Sequence, residues 1–213
     1  MSQEIELKLS VPEGQTTLLE QLPFWNNYTS TNSIRFHLKN TYFDTPDLHL
    51  KKSHISLRIR EKQGAFYQTL KTSGASKNGL TRRGEWEWPL GKYELDFSLL
   101  ESLDLAPLKA IQFNKLIPLF KTDFQRICWN LAWIEPLAHI EAALDIGEVQ
   151  AQGKKHPICE LELELLEGDE AALMVVAKHL KQMINLTPCD KSKSSRGFEL
   201  LRESLIESPK PSK

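Results

Sequence analysis

Glu4-Ile5-Glu6-Leu7-Lys8 near the start of the chain and Glu160-Leu161-Glu162-Leu163-Glu164 far downstream alternate charged and apolar residues. Successive side chains of a β-strand point to opposite faces of a sheet. Each run therefore sets three charges on one face and apolar residues on the other. One such run is most often a solvated sheet face or a charged edge. In this chain the pattern recurs. Ser56-Leu57-Arg58-Ile59-Arg60 puts Arg58 and Arg60 opposite Leu57 and Ile59. Tyr67-Gln68-Thr69-Leu70-Lys71 ends on a lysine, and Arg83, Glu85 and Glu87 alternate with Trp86 and Trp88. Arg126 lies opposite Ile127 and Trp129; Glu141 and Asp145 lie opposite Ile140, Ala142 and Leu144. About seven predicted strands share this division of ionic and apolar faces. Random solvated faces would not so regularly mix arginine- and lysine-bearing strands with glutamate-bearing ones.

Bulk properties agree with a single domain over residues 1–206 and a disordered tail over 207–213. The chain has 213 residues and a formal net charge of −1, so no global basic field points to nucleic acid. Three cysteines, Cys128, Cys159 and Cys189, lie far apart. An odd count without metal-type spacing argues for a reducing compartment, and so for the cytoplasm. No apolar run approaches the roughly 18 residues that span a membrane, and the acidic start MSQEIELKL is not a signal peptide. Oligomeric state is not legible.

The predicted elements are strands with helical insertions. Residues 4–11 form a strand ended by Pro12, and 15–22 a short helix. A strand over 33–44 leads into a turn at Tyr42-Phe43-Asp44-Thr45-Pro46-Asp47, and 54–62 and 65–72 form a hairpin about Gln63-Gly64. A loop from Thr72 to Gly79 precedes the Arg83–Trp88 strand. Residues 96–119 read as mostly helical, broken at Pro107 and Pro118. Strands follow at 123–134 and 138–146, a turn at Asp145-Ile146-Gly147-Glu148, then strands at 147–152 and 158–166. Gly168-Asp169 caps an amphipathic helix over 169–184 with Leu173, Val176, Leu180 and Ile184 on one stripe. A last helix covers about 194–206.

So many antiparallel strands need closure or a second layer. With charged faces inward, the barrel is inverted: a polar lumen inside, an apolar outside covered by the helices at 15–22, 96–119 and 169–184. The tryptophans Trp86, Trp88, Trp129 and Trp133 then belong to the outer packing. Arginine forks and lysines suit phosphate, and carboxylates bind hard cations through oxygen. An interior carrying both is costly when empty. A complex of Mg²⁺ or Mn²⁺ with a polyphosphate satisfies both sets at once, the logic of phosphoryl transfer by positioning and electrostatics.

Glu4-x-Glu6-x-Lys8 resembles the signature of the CYTH superfamily, the triphosphate tunnel metalloenzymes. Tyr42-Phe-Asp-Thr-Pro-Asp47, Leu57-Arg-Ile-Arg60, Lys71, Arg83-x-Glu85, Arg126, Asp145-x-Gly147, Glu160-Leu-Glu-Leu-Glu164 and Lys193-x-x-Arg196-Gly197 fall in the family's order. The resemblance covers about residues 3–200. It implies a mainly β fold: an eight-stranded antiparallel closed β-barrel tunnel with a charged lumen and helices packed outside. Cys159 to Leu166 and Ser194 to Gly197 are similar to bacterial inorganic triphosphatases, which often carry an appended histidine-rich helical domain. The resemblance implies hydrolysis of a small-molecule triphosphate, without nucleic acid or membrane as partner.

Mapped residue by residue, the resemblance implies a metal cluster of Glu4, Glu6, Glu160, Glu162 and Glu164, assisted by Asp145. Not all can touch the cation, because Mg²⁺ keeps several waters. Arg58, Arg60, Lys71, Arg83, Arg126, Lys193 and Arg196 are expected to clamp phosphate oxygens, with Lys8, Glu4, Glu6 and Arg58 at the reacting phosphate. Glu85 and Glu141 read equally as partners of lumen arginines, and Lys191 as a solvated residue. The six histidines show no ligand spacing. A class IV adenylate cyclase, a thiamine or nucleoside triphosphatase, and a non-catalytic polyphosphate-binding module remain as alternatives. The cyclase would need a nucleobase pocket that no inward residue supplies.

Overall fold

Eight strands carry the alternation. They are β1 (Ser2–Ser10), β2 (Ile34–Asp44), β3 (Ile55–Lys62) and β4 (Ala65–Thr72). After them come β5 (Leu80–Leu90), β6 (Ile117–Trp133), β7 (Ala138–Ala151) and β8 (Lys154–Gly168). The structure, a computed structural model, describes residues 2–29, 31–72 and 74–207. The expected tail at 208–213 lies outside the described residues. Every pairing is antiparallel, in the order β1-β8-β7-β6-β2-β3-β4-β5. β1 also pairs with β5, so the ring closes and both strand edges are used.

Closure sorts side chains by parity. Odd residues of β3 and even residues of β5 point outward, which brings Ile55 and Leu57 beside Trp86 and Trp88. Helices α3 (His49–Lys52), α4 (Phe97–Glu101) and α5 (Ala106–Lys109) cover this patch with Leu50, Leu100 and Leu108. On the far side, Trp129 and Trp133 pack under α1 (Thr16–Glu20) and α2 (Phe24–Tyr28). Trp25 of α2 stacks on Trp129 at 4.2 Å and 11°. Helix α6 (Ala171–Met183) lays Leu173, Val176 and Leu180 on the same cluster, with Asp169 Oδ1 accepting from the Ala171 amide. The expected apolar stripe is the buried one.

Helix α7 (Lys193–Glu207) does something the sequence reading did not foresee. Its Phe198, Leu200 and Leu201 pack against Leu38, Tyr42, Phe120, Phe124, Val149 and Ile158. Those strand residues share the inward parity of the charged positions. At this end the lumen is therefore apolar, and α7 covers it.

Three expectations are corrected. Residues 96–119 are not mostly helical. Two single-turn helices and a 3₁₀ turn at Phe113–Lys115 lead into β6, which begins at Ile117, before the expected break at Pro118 had ended any helix. Pro107 sits in the first turn of α5, where its missing N–H is not needed, and Pro118 lies within β6. Second, Asp145-Ile146-Gly147-Glu148 is not a turn. β7 runs unbroken from Ala138 to Ala151, and the chain reverses at Gln152-Gly153. Gly147 is in that strand because of close packing: a Cβ there would lie 2.2 Å from the Asp123 carbonyl oxygen. Third, the 15–22 helix is only the first of two, because Pro23 starts a second turn at Phe24.

Candidate active site

Register builds the site from neighbouring strands. β8 sets Glu164 beside Glu6, Glu162 beside Lys8 and Glu160 beside Ser10 of β1. β5 sets Arg83 beside Glu4. β7 places Asp145 between Glu160 of β8 and Arg126 of β6. The inward faces enclose a cavity of about 420 Å³. Of the residues expected to be functional, Glu4, Glu6, Lys8, Glu162 and Glu164 line it. So do Arg58, Arg60, Lys71, Arg83, Arg126 and Lys193. Asp145, Glu160 and Arg196 stand behind this lining, and Asp145 and Glu160 are fully buried.

Ion pairs tie the lining together. Glu4 accepts from Lys71 Nζ at 2.8 Å and from Arg83 Nε at 2.6 Å; Arg83 also reaches Glu6 at 3.0 Å. Burial pushes the Glu4 carboxyl up, but Lys71 and Arg83 outweigh it and hold its pKa well below the usual range. Arg126 forms a two-pronged bridge to Asp145, 2.7 Å on each prong, and a third contact to Glu162 at 2.5 Å. Lys193 descends from the start of α7 onto Asp145 at 2.6 Å and Glu162 at 3.0 Å, and also bonds Glu160. Arg196 pairs with Glu160 from behind. Lys8 lies between Glu6 at 3.4 Å and Glu162 at 3.2 Å.

The charges do not cancel locally. Burial and the neighbours Glu4, Glu85 and Glu141 push the Glu164 carboxyl up to about 7, although Lys71 opposes them. Across the cavity, burial and the adjacent Arg58 and Arg126 bring Arg60 down to about 10. One wall thus has an excess of carboxylate and the other an excess of guanidinium. The buried Nε–H of Arg58 has no acceptor. Such a lumen is complementary to hard cations on one side and to an anion on the other.

The donor set fits a divalent cation. It is all carboxylate, and oxygens of Asp145, Glu160 and Glu162 lie within 4.8 Å of one another. The crowding of Glu4, Glu85, Glu141 and Glu164 has the same chemistry. Glu87 and Tyr42 line the cavity as well, and so do Glu85 and Glu141, the expected partners of lumen arginines; Glu85 lies 3.9 Å from Arg58. Alternation already put the three glutamates inward; what it lacked was their distances. Glu85 does pair with Lys71, at 3.2 Å. Lys191 is exposed and pairs with Glu199 at 2.9 Å, as expected of a solvated residue. Cys128 lines the cavity with its thiol pushed up to about 12 by burial and Glu141, so it is inert there. His37 bonds Asp123 at the surface and His179 meets Trp133 edge-on.

Known proteins resemble this chain over nearly its whole length. The CYTH domain family model matches residues 2–198. The inorganic triphosphatase of Haemophilus influenzae is 33% identical over 200 residues, which are 94% of this chain and 55% of that protein. The chain therefore spans about half the length of that curated relative. Among solved structures, a Hippeastrum adenylyl cyclase candidate with a dominant triphosphatase activity superposes with a TM-score of 0.64. It is 21% identical, with 94% of this chain and 95% of that one covered. The PH1819 protein of Pyrococcus horikoshii superposes at 0.59 with 19% identity, covering 92% and 99%. The structural likenesses show a shared fold, and the family match, carried by the closed charged barrel and its ordered motifs, shows that this chain belongs to the CYTH domain family.

Proposed function

We propose that the barrel hydrolyses linear inorganic triphosphate to pyrophosphate and orthophosphate with the help of Mg²⁺ or Mn²⁺. The observation that carries this reading is the divided lumen: excess carboxylate at Glu164 facing excess guanidinium at Arg58 and Arg60. The 33% identity to an inorganic triphosphatase supports it. Glu4, Glu6, Glu160, Glu162 and Glu164 would hold the cation, directly or through water, with Asp145, whose carboxylate lies within 4.8 Å of those of Glu160 and Glu162, assisting. A bound divalent cation supplies charge neutralisation at the phosphate oxygens and an acidified water. Arg58, Arg60, Arg83 and Arg126 orient the phosphates as forks, and Lys71 and Lys193 add point charge. Arg196 holds Glu160, and through it Lys193. In the reaction the oxygen of water bonds the terminal phosphorus, the bridging P–O bond breaks, and pyrophosphate leaves with a proton. Lys8, held between Glu6 and Glu162, is placed to steady charge on the leaving oxygen. The three cysteines are unpaired, which suits a cytoplasmic site.

Phosphate release from tripolyphosphate, ATP, thiamine triphosphate and pyrophosphate, with Mg²⁺, Mn²⁺ or excess EDTA, tests the proposal. Turnover of tripolyphosphate that persists undiminished in EDTA would sink the metal-dependent reading.

A further inference from the structure

A second chamber, also of about 420 Å³, adjoins the charged lumen. The two share Ser56, Lys71, Arg83, Ser192 and Ser194 as a common wall. We infer that this chamber is a subsite for the distal phosphates of a linear polyphosphate longer than three units, held by Lys51, Arg202 and His54. The inference rests on the proposed triphosphate chemistry of the lumen and extends its substrate class.

Charge is the first support. Lys51, His54 and Arg202 all line the chamber, and all are exposed. Among the described residues no carboxylate is paired with Lys51 or Arg202. The one acid lining the chamber, Glu199, is engaged by Lys191 at 2.9 Å. The chamber is therefore cationic, whereas the lumen behind it balances its cations with carboxylates.

Rigidity is the second. The amide of Lys51 donates to Asp44 Oδ2 at 2.9 Å, and the fully buried Asp44 also accepts from Leu50 and Thr45. The Asp44-Thr45-Pro46 turn thus fixes the backbone that presents Lys51. His54 ends the same short connection at a left-handed φ of 58°, a conformation histidine tolerates better than most residues. Ser192, Ser194 and Ser195 add hydroxyls from the start of α7.

Exclusion is the third. Besides the exposed imidazole of His54, the ring lining the chamber among the described residues is that of Phe198. It is buried, and Lys51 Nζ lies over its face at 4.8 Å. With no open phenyl, phenol or indole face, the chamber suits further phosphate, which Lys51, Arg202 and a His54 N–H can bind, better than an organic group.

The test compares tripolyphosphate with tetrapolyphosphate. Binding to the metal-free chain is measured by calorimetry, and kcat/KM for phosphate release is measured with Mg²⁺. Wild type and the Lys51→Ala/Arg202→Ala double variant are both used. Wild type should bind tetrapolyphosphate more tightly, and the double variant should lose about fivefold of that margin, as two exposed charge contacts allow. Its tripolyphosphate values should stay within about twofold. An equal loss on both substrates would mean general charge attraction and would overturn the subsite. So would a wild-type chain that binds tetrapolyphosphate no better than tripolyphosphate. If tripolyphosphate is bound but never turned over, the hydrolytic proposal fails, and the binding margin still decides the chamber.

Discussion

Glu164 is the lining carboxylate whose ionisation its surroundings oppose. Its pKa is raised from 4.5 to about 7, mainly by burial and then by Glu4. The folded chain therefore holds this proton more tightly than the unfolded chain. Between pH 4.5 and 7 the metal-free protein should lose stability as pH rises, and the loss should be complete above 7. Allowing for partial exposure, the effect is about 1–2 kcal/mol. Glu164→Gln should flatten that part of the Tm-against-pH curve, and Mg²⁺ should raise the wild-type Tm at pH 8 more than that of the variant. A variant whose Tm tracks wild type from pH 5 to 8 would contradict the crowding. Glu162 has the opposite balance. Burial pushes it up, but Lys193, Lys8 and Arg126 together hold it well below the usual range. It stays ionised and bridges both halves of the lumen. Glu162→Gln should lower kcat by about 100-fold or more if it helps to place the cation. Near-normal kcat would remove it from the site.

At the scale of elements, α7 decides whether the lumen is complete. It delivers Lys193, and its approach depends on Gly197, where a Cβ would fall 2.0 Å from the Phe120 ring. Phe120 is in turn stacked on Tyr42 at 4.7 Å and met edge-on by Phe198 at 5.0 Å. Gly197→Ala must push α7 outward, at a cost of about 1–3 kcal/mol. Lys193 should then leave the acidic group, and kcat/KM should fall even where the variant remains folded by circular dichroism. Shortening the ring in Phe120→Leu/Gly197→Ala should restore part of both; no restoration would assign the loss to the helix backbone instead. This element also marks what the sequence could and could not yield. The strands were legible because a period of two with ionic residues on one face admits few other structures. The helix at Ala171–Met183 followed from the apolar outside it must cover, whereas 96–119 covers its patch with single turns rather than the expected helix. The role of α7 was not legible, because Leu38, Phe120, Phe124 and Ile158 share the inward parity of the charges yet are apolar. Alternation shows which side a residue faces, not how far along the barrel the polar zone extends. Gly147 misled for a related reason: a glycine that relieves a close strand contact looks in sequence like one that makes a turn.

On the scale of the whole molecule, ring closure gathers the site. Cations from β1, β3, β4, β5 and β6, together with Lys193 of α7, converge on one cavity of about 420 Å³. No single strand or hairpin could surround a ligand this way, and an open sheet would leave the same charges solvated. Guanidinium forks spread around a tube suit a ligand whose charge is spread along its length. Tripolyphosphate has that form and can meet several strands at once. Pyrophosphate, with one phosphate fewer, offers fewer oxygens to these cations. ATP carries the same three phosphates, but adds a base and ribose. Phe36 and Tyr42 are the aromatic rings that line the lumen. Tyr42 is buried and stacked on Phe120, and the Lys62 ammonium lies 3.8 Å from the centre of the Phe36 ring. Neither face is open to a base. The kcat/KM for tripolyphosphate should therefore exceed that for ATP, and for pyrophosphate, by at least about tenfold, since losing one good charge-assisted contact costs about that much. Arg58→Ala and Arg126→Ala should raise KM and lower kcat together, because these forks hold the phosphates in the ground state and in the transition state. The ratio is the decisive readout. If ATP matches tripolyphosphate, by hydrolysis or by formation of cyclic AMP, the lumen selects a nucleotide and the inorganic substrate is wrong.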